Sequence, residues 1–284
     1  MKLARTRCAT RGRQAGFSGA LLIIAIILIG VAVLLARGLS RTDVSLEREA
    51  GTRANLARVT DALMNFAMMN ARLPCPARGD DDGGDAAPPG AAPTCTNGDG
   101  VVPWRTLGLR REDALDGWRR KISYRVFTGP SGLPTGLTQA GGANATDCST
   151  NAGAPAPPPD GTMAANGLCN AIHGNSYGQF LAGKGFTVVD QGANKTGIAF
   201  VLISHGDSGY GAYAAEGPGR SVLPAAGGNE SSNTGATSPF YSNPRSAQGI
   251  QPADINHFDD VVLYKTLDEL AAGSKLVARP WPLP

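Results

Sequence analysis

The stretch Arg13–Arg37, RQAGFSGALLIIAIILIGVAVLLAR, decides how the rest of the chain is read. It starts on a basic residue, passes through Gly16-Phe17 and enters an uncharged run, Ala20–Ala36, of 17 residues that are mostly Leu, Ile, Val and Ala. At about 1.5 Å of rise per residue, such a helix comes close to the lower limit for crossing a bilayer. A secretory signal peptide has a shorter apolar region followed by a small-x-small cleavage site. Here the run ends in Leu35-Ala36-Arg37-Gly38, a poor site, so the helix is expected to be kept.

The flanks agree with that reading. Before Gly16 the chain holds Lys2, Arg5, Arg7, Arg11 and Arg13 and no acid, and the first acidic residue is Asp43. The net charge of +3 therefore comes from the leader, because the remainder carries 21 basic and 23 acidic residues. This is the charge pattern of a segment held on the cytoplasmic side, and it gives no ground for a nucleic-acid partner. After Arg41 the chain does not break: Asp43–Asn70 has no proline and only Gly51 as a glycine. Leu56, Val59, Leu63 and Phe66 recur at spacings that place them on one helical face. The spacing predicts one long helix, apolar in its first half and amphipathic in its second, stopped at Leu73-Pro74.

Gly (38) and Pro (20) make up about a fifth of the 284 residues, which points to a modest folded head with long loops. Cys75, Cys95, Cys148 and Cys169 follow the apolar run, without CxxC or zinc-type spacing, so two disulfides in an oxidising compartment are expected. Sequence order favours Cys75–Cys95 and Cys148–Cys169, and the other two connectivities stay open.

A basic leader, Gly-Phe and a long half-apolar helix resemble the type IV pilin and type II secretion pseudopilin family. The likeness continues through RLPCPA (72–77), GVVPWRTLGL (100–109), DGWRRKISYRV (116–126), AFVLISHGDSGYGAY (199–213) and FDDVVLY (258–264), which look like the blocks of large pilin-like proteins. The resemblance implies cleavage by a prepilin peptidase between Gly16 and Phe17, N-methylation of Phe17, and assembly with other pilin or pseudopilin subunits through the helix. It also implies a single-pass inner-membrane protein, in contact with inner-membrane lipid, whose head lies in the periplasm before it joins a pilus or pseudopilus. The family's glutamate at the fifth mature position is Leu21 here, which implies a minor or tip subunit.

The expected fold is α+β: leader 1–16, transmembrane and amphipathic helix 17–72, and a head 73–284 built as a mostly antiparallel sheet with disulfide-tied loops. Lys121–Phe127 alternates as a half-buried strand, Ile198–Ile203 reads as a central strand and Val261–Tyr264 as a third. Trp104 and Trp118 are expected as core plugs.

Several motifs invite other readings. His205–Gly209 contains GDSG, a protease nucleophile segment, but the one upstream histidine, His173, lacks the matching surroundings. Gly174–Gly178 fits G-x-S-x-G around Ser176, with Asp254 and His257 downstream, but not in a strand–turn–helix setting. Asp80, Asp81, Asp82 and Asp85 could gather calcium, and the family's calcium loops would match Asp207 and Asp259-Asp260; neither set carries a metal assignment. The expected function is non-enzymatic, with no cofactor. The alternatives are a membrane-anchored periplasmic binding protein outside any filament and, further off, a serine hydrolase.

Overall fold

The computed structural model of the chain describes residues 17–70, 72–92, 94–129, 136–139, 143, 185–247 and 250–273. Helix α1 runs Phe17–Asn70. Its second half carries the apolar face seen in the sequence: Leu56, Val59, Leu63 and Phe66 are all buried, with Ala67 beside them. Thr52 and Thr60 sit on or beside that face by returning their hydroxyls to the carbonyls of Arg48 and Leu56, four residues back. This satisfies the hydroxyls without a partner from the sheet.

The strands are β1 (Arg120–Lys121), β2 (Ser123–Val126), β3 (Phe186–Asp190), β4 (Ala193–Ser204), β5 (Tyr213–Ala214), β6 (Phe240–Ser242) and β7 (Val261–Thr266). Among the described residues two short α-helices, α2 (Asn229–Asn233) and α3 (Leu267–Gly273), and a 3-10 turn at Arg111–Ala114 complete the set. β4 is the organising strand, pairing antiparallel with β2, β3 and β7. Its Phe200 and Leu202 join Leu56, Val59 and Leu63 of α1 in one core, while Ile198, Val201 and Ile203 pack with Val188 and Phe240 in a second. A strand covered on both faces has no solvated side, which is why it reads as an unbroken apolar run instead of an alternation.

The segment through β2 alternates as expected, with Ile122 just before the strand and Tyr124 and Val126 within it in the α1 core. It is not half-buried, however: Ser123 and Arg125 on its other side are fully enclosed too. Close approach fixes the turn before it. Gly117 donates its N–H to Thr52 Oγ1 at 2.9 Å, and a Cβ there would collide with the Arg48 carbonyl of α1.

Two expectations are overturned. The sheet is mixed: β3 pairs parallel with β6, Val188 opposite Phe240, because β6 returns to the β3 edge by a long connection and not by a hairpin. Among the described residues, no helix is long and apolar enough to cross a membrane. The transmembrane half of the helix and the single-pass inner-membrane location with a periplasmic head are both withdrawn on that ground. By internal contacts the chain separates into two units, Met1–Leu46 and Glu47–Pro284.

Cys75 and Cys95 form a disulfide, with Cα atoms 5.5 Å apart and 20 residues between them in sequence. Cys148 and Cys169 lie outside the described residues. Closing a loop of that length restricts the unfolded chain by about 3 kcal/mol. Changing both Cys75 and Cys95 to serine is therefore expected to lower the unfolding free energy by about that amount. Equilibrium urea denaturation checks it, and an unchanged midpoint would refute it.

Candidate functional site: a buried polar cluster at the end of β4

Past Ser204 the chain leaves β4 through His205-Gly206-Asp207-Ser208. Gly206 has φ +53°, and a side chain there would meet the Asp259 carbonyl and carboxylate. This turn needs glycine, and the absent side chain lets the two loops touch. The register does the rest. Ser204 faces Val261, so the residues just before β7 lie alongside those just after β4. Ser123 sits opposite Ile203 on the other flank.

The result is a set of polar groups that are far apart in sequence. Ser123 Oγ lies 3.1 Å from His205 Nε2, and His205 Nδ1 lies 3.3 Å from Asp260 Oδ1. The second contact is within ion-pair range but off the hydrogen-bond direction, so Nδ1 has no hydrogen-bond partner. Asn233 of α2 donates to Asp260 Oδ2 at 2.8 Å and clamps β6 through the N–H and carbonyl of Tyr241. Glu230, also on α2, accepts the Asp259 N–H at 2.7 Å and faces His257 Nδ1 at 3.0 and 3.1 Å. Asp259 in turn accepts from the Ser208 N–H and hydroxyl, at 2.7 and 3.0 Å. Beside them Asp116 accepts from Ser204 Oγ at 2.7 Å and from the N–H groups of Trp118 and Arg120.

Burial shifts two of these acids, Glu230 and Asp116, towards protonation. Glu230 is pushed up to about 7, first by desolvation and then by the Asp260 charge, against the hydrogen bond from His257. Desolvation also raises Asp116, against its backbone and Ser204 hydrogen bonds. Two clefts open beside the cluster. One of about 310 Å³ is lined by Trp118, Arg245, Asp259 and Asp260. The other, of about 320 Å³, is lined by Asn229, Ser246, Asn256 and His257.

Ser123, His205 and Asp260 stand in the order of a hydrolase triad. Ser123 is 0% and His205 1% exposed, which shuts that hydroxyl away from a substrate. The GDSG serine, Ser208, is committed to Asp259. His257 turns to Glu230, while the Asp254 carboxylate accepts the Asn256 N–H. Ser176 and His173 lie outside the described residues.

The acidic run of the sequence is held by cations. Arg78 pairs with Asp80, Arg105 with Asp85, and Lys121 and Arg111 with Asp82. Trp104 packs against the main core as a plug. Trp118 instead lines a cleft, and its indole N–H donates to Asp207 at 2.8 Å. Phe17 is the first residue of α1, and Gly16 lies outside the described residues. Comparison of the chain with protein-family models, curated proteins and solved structures finds no match.

Sequence reasoning passed over Glu230 and Asn233, which sit in no motif, and Ser123, which lies in a strand block that carries no chemical signature. The available signal was the pair of histidines His205 and His257, each two or three residues from an aspartate in an otherwise histidine-poor chain.

Proposed function

We propose that this chain is a non-enzymatic structural subunit of a pilin-like filament, a type IV pilus or a type II secretion pseudopilus. A prepilin peptidase releases it from its basic leader between Gly16 and Phe17. The observation that carries the reading is the start of α1, where Leu22, Ile23, Ile24, Ile26, Ile27, Leu28, Ile29 and Val31 are 48–64% exposed directly after Gly16-Phe17. Burying one such side chain is worth about 1.5–3 kcal/mol, so a row of them drives the equivalent helices of neighbouring subunits together. Leu21 stands where the family carries its glutamate, so the chain lacks the carboxylate that would meet the N-terminal ammonium of a neighbour. That favours a minor subunit at the filament tip.

The test is the mature N-terminus, read by mass spectrometry after co-expression with a prepilin peptidase, with Gly16→Ala alongside. The expected chain begins at N-methylated Phe17, and Gly16→Ala stays unprocessed. A wild-type chain that keeps Met1–Gly16 beside an active peptidase overturns the reading.

A further inference from the structure

Glu230 and His257 belong to segments 27 residues apart, yet the imidazole Nδ1 stands 3.0 and 3.1 Å from the two carboxylate oxygens. With Asp259 added, one ligand atom from each of the three lies within 4.8 Å of the others. Bonds of about 2.0–2.1 Å to a tetrahedral metal leave neighbouring ligand atoms roughly 3.3 Å apart, so small side-chain adjustments close the set.

The charge around the three is one-sided. Glu230, Asp259 and Asp260 are all buried, and the ion-pair partners of Glu230 and Asp260 are imidazoles, not lysine or arginine. One of those imidazoles, His205, has a fully enclosed side chain whose Nδ1 points at Asp260 without a hydrogen bond. A cation at this place relieves all three carboxylates.

We propose that Glu230, His257 and Asp259 bind one divalent transition-metal ion of the zinc type. An imidazole with two carboxylates suits zinc, whereas calcium and magnesium take oxygen ligands throughout. His257 ligates through Nδ1 as the neutral ring, and the proton it shares with Glu230 leaves to solvent as the metal arrives. The fourth position goes to water, supplied from the clefts that His257 and Asp259 line. The ion ties α2 to the segment entering β7, a link between two loops that backbone pairing alone does not make. This inference does not depend on the filament reading.

The experiment uses the untagged full-length chain, stripped with a chelator and titrated with Co²⁺, Zn²⁺ and Ca²⁺ separately. The expected result is one Co²⁺ per chain with visible d–d absorption, displacement by one Zn²⁺, and a raised thermal midpoint. His257→Gln is expected to weaken zinc about 100-fold, while His173→Gln binds as the wild type does. The proposal is overturned by a wild-type chain that takes up no stoichiometric Co²⁺ or Zn²⁺, by binding unchanged in a folded His257→Gln, or by preference for Ca²⁺. The wild-type cobalt spectrum decides the matter even if a variant fails to fold.

Discussion

Replacing Arg125 with alanine is expected to lower the unfolding free energy by about 3–5 kcal/mol, a large part of the 5–15 kcal/mol typical of a domain. The guanidinium is fully buried, and its hydrogen bonds all go to carbonyls: Gly235 at 2.7 Å, Gly100 at 2.8 Å, Tyr124 at 3.2 Å and Thr234 at 3.5 Å. Burial lowers its pKa to about 10, so the folded protein already carries the cost of enclosing this charge. What the charge supplies in return is connection. Gly100 O also receives the Tyr124 N–H and Thr234 O also receives Arg220, whereas Gly235 O depends on Arg125.

Alanine therefore leaves a cavity and a partly buried carbonyl without its arginine donor. Methionine refills most of the volume but restores no hydrogen bond, so Arg125→Met is expected to fall between wild type and Arg125→Ala. Urea denaturation of the three proteins checks this ordering. Equal midpoints for wild type and Arg125→Ala would show that the carbonyl contacts contribute nothing.

Phe200→Ala is expected to cost about 3–5 kcal/mol by the same measurement. Phe200 is wholly enclosed in β4, meets Tyr124 edge-to-face with centroids 6.2 Å apart, and packs in the core that holds α1. Truncation removes the aromatic pair and opens a void between sheet and helix that backbone pairing on two flanks prevents from collapsing. Phe200→Leu keeps most of the volume and is expected to cost less than half as much. If Phe200→Ala were as stable as Phe200→Leu, the contact between β4 and α1 would have relaxed, and the core described above would be looser than its packing implies.

These two residues show what was legible. Phe200 lies in a run, Ile198–Ile203, whose apolar character alone marks it as an interior strand. Arg125 lies in an alternating strand at a position that the same logic assigns to solvent. Alternation reports which residues share a face, and it is silent about what covers the other face. Here the loop through Thr234 and Gly235 does so, and its carbonyls are what make an enclosed arginine tolerable. The parallel β3–β6 pair was equally hidden, because a long connection leaves no turn residues to read.

The sequence by itself determined the apolar face of α1 at Leu56, Val59 and Leu63 and the strand positions in β2 and β4, and it favoured Cys75–Cys95 among the open cysteine pairings. Each depends on neighbours within a turn, a strand or a short loop, where spacing along the chain and separation in space are tied together. Only the tertiary structure decided that Ser123, His205, Glu230, His257, Asp259 and Asp260 meet. They converge because the β4 register brings both ends of distant connections to one edge, and no periodicity along the chain records a contact between residues that far apart.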